Sequence, residues 1–160
     1  MCVEVRDSVK GEQPPDCEPW SSGIVVRAWR LAAHMDIETE TALEAGGLCD
    51  ITTVGARSGR PRRIEIVFHH FDGQYFITGR PGAKRDWLAN LTANPEFTLH
   101  LKGAREVDLD AKAEVISDDE ARAEVLYRIL TESWGNEPSK ATHILPRWLA
   151  GAPLVKFDLA

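Results

Sequence analysis

The spacing of apolar side chains along the 160-residue chain divides it into stretches of helical and strand period. Ile24, Ala28, Leu31 and Met35 recur at intervals of four, three and four, with Arg27, Arg30 and His34 on another face, which predicts an amphipathic helix. A second short helix is expected from Asp36, with Glu38 and Glu40 near its positive end and a stop at Gly46-Gly47. The period then changes to two. Residues 48–54 are rich in Ile, Thr and Val. In residues 64–71, Ile64, Ile66 and Phe68 lie on one side and Glu65, Val67 and His69 on the other. Asp72-Gly73 supplies a two-residue hairpin turn that needs positive φ, and residues 75–78 return. Phe97, Leu99 and Leu101 alternate with Thr98, His100 and Lys102. Past a turn at Gly103-Ala104, Val107, Leu109, Ala111, Ala113 and Val115 face away from Glu106, Asp108, Asp110, Lys112 and Glu114, the pattern of a half-buried antiparallel hairpin.

The helical signals between and after these strands are local. A short helix is expected near residues 86–93. Ser117-Asp118-Asp119-Glu120 reads as a capping box that opens a helix carrying Val125, Leu126, Ile129 and Leu130. A less regular helical stretch over residues 139–150 is interrupted by Pro146, and residues 154–159 close the chain as a strand. Strands joined by hairpins, with helices between them, predict an antiparallel sheet or small barrel in an α+β domain. Residues 1–22, which mix charges with Pro14, Pro15 and Pro19, show no period and read as a disordered tail before one domain over residues 23–160.

Composition narrows the function classes. With 43% apolar residues the chain can bury a core. A net charge of -6 argues against generic nucleic-acid binding, which needs excess Lys and Arg. Cys2, Cys17 and Cys49 form no C-x-x-C pair, so neither a disulfide framework nor a closed metal site is expected, and a reducing, cytoplasmic location follows. No run of 18 apolar residues is present, and Met1-Cys2-Val3-Glu4 lacks the plan of a secretion signal. The absence of G-x-G-x-x-G disfavours a nicotinamide-binding doubly wound fold. The first helix, with Arg27, Trp29 and Arg30, also has the composition of a weak interfacial helix, so peripheral contact with the inner membrane face stands as an expectation beside packing on the barrel.

The positive charge is concentrated. Residues 55–63 hold Arg57, Arg60, Arg62 and Arg63 and no acid; residues 79–85 hold Arg80, Lys84 and Arg85 and no acid. These 16 positions carry 7 of the 19 basic residues, leaving 12 bases against 25 acids elsewhere. If the flanking strands pair, both turns lie at one rim, where seven cations repel one another unless an anion offsets the cost. Arg grips phosphate or carboxylate oxygens in a bidentate fork, the glycines let backbone N–H groups approach the same anion, and Ser58 adds a hydroxyl donor. An anionic ligand is expected there.

At these residues the chain resembles the deazaflavin-dependent oxidoreductases of the nitroreductase/quinone reductase family, which use coenzyme F-420. The likeness lies in Ile51-Thr52-Thr53-Val54-Gly55-Ala56-Arg57-Ser58-Gly59-Arg60-Pro61-Arg62, then Trp87-Leu88-Ala89-Asn90-Leu91 and Ala93-Asn94-Pro95, and runs over about residues 24–132. The resemblance implies a split β-barrel of about six mainly antiparallel strands with flanking helices, related to the FMN-binding split barrels. By position, Arg57, Ser58, Arg62 and Arg63 would hold the coenzyme's phosphate or polyglutamate tail, Arg80 would join them, and Asp86, Trp87 and Asn90 would form a third contact segment. The deazaflavin carries the hydride, so the protein supplies binding, orientation and shielding. The expected reaction passes a hydride from the reduced coenzyme to a quinone, nitro compound or activated alkene. Two other readings stand beside it: a split-barrel oxidoreductase that binds FMN, and a non-catalytic carrier or sensor of the coenzyme. Pairing into a homodimer is implied by the resemblance alone.

Outside the basic turns, His69 and His70 are adjacent on a strand and point to opposite faces, so they cannot chelate one metal together. His69 is the candidate proton source after hydride transfer, because it shares a face with Glu65 in the strand that follows the first basic turn. Trp134, His143 and Trp148 are expected in the core, with a cover over a flat ring as the alternative. Cys49 has no cationic neighbour in sequence and is not expected to be a thiolate nucleophile.

Overall fold

A computed structural model of the chain describes residues 36–103 and 106–160. The tail over residues 1–22 and the helix expected from Ile24 to Met35 lie outside the described residues, as does Ala104 in the expected turn. The elements follow in the order α1 (Ile37–Ala45), β1 (Gly47–Val54), β2 (Pro61–Phe71), β3 (Gln74–Thr78), α2 (Asp86–Ala93), β4 (Glu96–Leu101), β5 (Val107–Val115), α3 (Asp119–Arg128), a π turn (Ile129–Ser133), α4 (Pro138–Gly151) and β6 (Leu154–Leu159). The six strands close into an antiparallel barrel in the order β1-β2-β3-β6-β5-β4.

Alternation within each strand builds the interior. Cys49 and Ile51 of β1, Phe68 of β2, Ile77 of β3, Phe97, Leu99 and Leu101 of β4, Ala111 of β5, and Val155 and Phe157 of β6 are buried there, joined by Trp87 and Leu91 of α2 and Leu43 of α1. The β2–β3 connection is the expected turn: Asp72 and Gly73 have φ of 52° and 77°, matching the twist of the strands they join. A second core lies outside the barrel. Phe71, Phe76 and Leu154 turn outward from β2, β3 and β6 and are covered by Leu126, Ile129, Leu130, Ala141 and Trp148 of the helices. This explains why residues 68–71, expected to be half-exposed by alternation, have both faces covered at Phe68, His69 and Phe71.

Two helix boundaries differ from the sequence reading. The cap of α3 is Asp118, whose Oδ1 accepts from Ala121 N at 2.9 Å, one residue beyond the expected Ser117. A carboxylate reaches the free amide there and adds a favourable charge at the helix's positive end. Pro146 does not interrupt the last helix: α4 runs unbroken from Pro138 to Gly151. The proline removes one helical hydrogen bond, and the packing of Ala141 and Trp148 into the second core offsets that loss. The π turn was not signalled by sequence. It carries the chain out of α3 with Trp134 N donating to Ile129 O at 3.1 Å.

Candidate functional site

Strand directions decide where the basic turns point. β1 and β2 are antiparallel, as are β2 and β3, so the end of β1, the start of β2 and the end of β3 point toward the same end of the barrel, with β3 ending one residue past Ile77, which lies opposite Phe68. Residues 55–60 and 79–85 therefore leave their strands in the same sense, staggered along β2, and make up the cationic rim. The first turn is closed by Gly55 N donating to Arg60 O at 2.9 Å and Gly59 N donating to Gly55 O at 2.8 Å. Ser58 Oγ accepts from Arg60 N at 3.3 Å, and a Cβ on Gly55 would stand 2.4 Å from that hydroxyl, so a side chain at this position would displace Ser58 from its place in the turn.

Alternation separates two neighbouring arginines. Arg62 pairs with Thr53, a buried residue of the inner row, and so stands on the inner face at the rim. Arg63 pairs with Thr52 on the outer face, where its Nε donates to Asp50 Oδ2 at 3.0 Å. Lys102 Nζ joins the same carboxylate at 2.6 Å and Glu65 at 2.5 Å. These contacts hold the Asp50 carboxyl below its ordinary range, Lys102 first and Arg63 after it, and raise the Lys102 ammonium. Arg85 is also engaged: its Nη2 donates to Arg80 O at 2.5 Å, and its guanidinium lies where a Cβ on Gly79 would be, at 2.4 Å. Arg57, Ser58, Arg60, Arg62, Arg80 and Lys84 remain exposed at the rim. None of these five cations forms an ion pair among the described residues.

The third segment lies underneath. Asp86 is exposed in the first turn of α2, whereas Trp87 and Asn90 are buried, 7% exposed each. Asn90 Nδ2 donates to Thr53 Oγ1 at 3.0 Å, and its Oδ1 accepts from Ala56 N at 2.9 Å. Asn90 thus ties α2 to β1 and to the second residue of the arginine turn. Nothing in the periodicity of the chain indicated this support; it is a buried amide bridging elements 37 residues apart.

His69 lies away from the arginine turn that opens β2. Seven residues separate it from Arg62 along β2, about 23 Å at the usual strand rise. It is 4% exposed, under the helical layer, with Nδ1 and Ser133 Oγ at 3.0 Å and Nε2 buried without a partner among the described residues. Burial lowers its pKa to about 4. With Val67, Arg128, Ser133 and Trp134 it lines a cavity of about 490 Å³. Trp134, 41% exposed, stands edge-on to the imidazole at 6.0 Å and to Trp148 at 4.9 Å, so Trp148 is core and Trp134 is only partly so. His70 turns the other way, its Nδ1 at 3.2 Å from Glu44 O. Cys49 is fully buried, which pushes its thiol up to about 12, and it is inert as a nucleophile.

A closed six-strand antiparallel barrel defines the split-barrel fold, and its cationic, glycine-bearing rim offers a donor set suited to phosphate and carboxylate oxygens. The chain belongs to the F420H(2)-dependent quinone reductase family, whose model matches residues 28–144. It is an oxidoreductase that depends on coenzyme F-420 and reduces a small-molecule electron acceptor. The carrier reading is thereby set aside. The fold is shared with the conserved hypothetical protein Rv2991 of Mycobacterium tuberculosis, at 18% identity over 78% of this chain and 81% of that one, with a TM-score of 0.64. An "F420 Reductase" structure aligns at 19% identity over 76% and 92% of the two chains, TM-score 0.56. A structure of an F420-H2 dependent reductase aligns at 21% identity over 70% and 94%, TM-score 0.50. No curated protein matches the chain. No helix among the described residues is long and apolar enough to cross a membrane.

Proposed function

We propose that the rim holds the anionic part of coenzyme F-420, with Arg57, Arg62 and Arg80 as charged donors and Ser58 and the glycine-flanked backbone beside them. The observation that carries this reading is that two acid-free turns follow strand ends of the same direction and carry five cations that meet no acid among the described residues. Asn90 and Trp87 act from below: Asn90 sets the position of Ala56, and Trp87 anchors α2 in the barrel core. Asp86 stands beside the cations at the start of that helix. Arg63 serves the Asp50 cluster on the outer face and contributes general positive charge. When bound, the reduced coenzyme supplies the hydride. The chain's own part is to bind the polyanion, orient it and keep water from the acceptor.

For the acceptor we favour a planar carbonyl compound of the quinone class, received against the deazaflavin ring. His69 does not serve as the proton source in this reading: it is buried and tied to Ser133 away from the arginine turn, and a pKa near 4 leaves it neutral at pH 7. Nitro compounds and activated alkenes present a similar flat outline.

Tryptophan quenching tests the coenzyme's seat. The deazaflavin coenzyme should bind more tightly than FMN, whose single phosphate meets fewer of the cations, and its affinity should fall more steeply with salt. Arg57→Gln and Arg62→Gln should each weaken it by about 1.5–3 kcal/mol, the value of one charge-assisted hydrogen bond. Equal affinity for both molecules, insensitive to salt and to these substitutions, overturns the reading. For the acceptor, menadione should oxidise the reduced coenzyme in the presence of the chain; no turnover with any quinone overturns that substrate class.

A further inference from the structure

The second basic turn is seated on the end of α4. Gly82 N donates to Gly151 O at 3.4 Å, and a Cβ on Gly151 would stand 3.1 Å from that nitrogen and 3.3 Å from Pro81 Cβ. One residue before the turn, Thr78 Oγ1 donates to Pro153 O at 2.6 Å. The end of α4 is itself held from α3. Arg122 Nη2 donates to Leu149 O at 2.8 Å and to Ala152 O at 2.7 Å, while its Nη1 donates to Asp119 at 2.7 Å. The carbonyls at a helix C-terminus lack partners within the helix and carry its negative end, so a guanidinium is suited to gather them. The Arg122 side chain is 14% exposed and fully engaged, and it belongs to neither basic turn.

We infer that Arg122 is a positioning residue for coenzyme binding. It fixes the last turn of α4, and through Gly151 that turn fixes the loop presenting Arg80 and Lys84. The inference rests on the rim as the coenzyme's seat. Because coupling between sites is reciprocal, an anion at the rim also tightens the end of α4. The helical layer over the second core and the cationic rim then respond to one another without sharing a ligand contact.

The test compares Arg122→Lys, which keeps the charge and loses the fork, with Gly151→Ala, which crowds Gly82 and leaves Arg122 intact. Arg80→Gln probes the seat directly, and Asp119→Ala removes the exposed partner of Arg122 while sparing the carbonyls. Coenzyme affinity is read by tryptophan quenching, and amide exchange is followed at Gly82 and Ala152 with and without coenzyme. Arg122→Lys and Gly151→Ala should each weaken binding about 10-fold, and Asp119→Ala less than about 3-fold. Coenzyme should slow exchange at Gly82 and Ala152 in the unaltered chain, and at Gly82 alone in Arg122→Lys. If Arg80→Gln weakens binding while Arg122→Lys and Gly151→Ala only lower the melting temperature, the positioning role is overturned. If Arg80→Gln also leaves affinity unchanged, the seat itself is wrong.

Discussion

Arg62 and Arg63 are adjacent and chemically identical, yet the pleat of β2 gives them different surroundings. One faces the barrel mouth beside Thr53, the other the outer surface beside Asp50. Exchanging each for Gln should separate them: Arg62→Gln loses coenzyme affinity by the 1.5–3 kcal/mol given above, whereas Arg63→Gln removes an exposed pair worth no more than about 1 kcal/mol of stability. Comparable losses of affinity from both would place the anion on the outer face instead. His69 makes a second prediction at this scale. Its pKa is near 4 in the folded chain against an ordinary 6.5, so the unfolded chain binds the extra proton first as pH falls. Stability is full above pH 6.5 and is lost as pH drops toward 4, by about 3 kcal/mol for this buried group. Urea titrations of the unaltered chain and of His69→Gln across that window should show the slope in the first and its reduction in the second.

At the level of elements, α2 is the part most dependent on a single side chain. Asn90 supplies a donor to Thr53 and an acceptor to Ala56 from a buried position, and Asn90→Ala leaves both partners short of a bond. A cost of about 1–3 kcal/mol in stability is expected, together with weaker coenzyme binding as residues 55–60 loosen; chemical denaturation and quenching titrations measure the two. Asn90→Ala with unchanged stability would mean water replaces the amide. The cap of α3 offers a simpler case, where Asp118→Ala should cost about 1 kcal/mol in the same denaturation experiment and Ser117→Ala close to nothing. These contacts mark what the sequence could and could not disclose. The barrel interior was legible because period two with a common inward row is imposed by the pleat, and Ile64, Ile66, Phe68, Phe97 and Leu99 could be assigned without knowing their neighbours. The common direction of the two basic turns was legible because hairpin connectivity alone fixes which way each strand runs, whereas their stagger along β2 depends on register. By contrast, the second core, the π turn and the Asn90 bridge depend on which helix lies over which strand, and local spacing does not carry that information. Arg63 shows the same limit: its type and spacing suggested an anion site, but Asp50 and Lys102 reach it only through strand pairing.

Across the whole molecule, charge is distributed against its average. A chain of net charge -6 gathers five exposed cations at one end of its barrel, held apart from the Asp50–Glu65–Lys102 cluster on the outer wall. Mutual repulsion there destabilises the folded state, and a bound polyanion relieves it, so ligand binding and folding stability are linked beyond the contacts themselves. Saturating coenzyme at about 100 times its dissociation constant should stabilise the fold by about 2.7 kcal/mol, which for a domain of this size raises the melting temperature by roughly 5–10 °C. Inorganic phosphate at moderate concentration should give part of that rise by meeting the same cations, and added chloride should erode both effects as screening shortens the reach of the rim's field. Thermal melts in coenzyme, phosphate and chloride series measure this directly. In a chain carrying Arg57→Gln, Arg62→Gln and Arg80→Gln together, the melting temperature without ligand should rise, because repulsion is removed, and its response to coenzyme should fall. A triple variant that melts lower without ligand and still responds fully would show that these arginines stabilise the barrel and that the anion binds elsewhere.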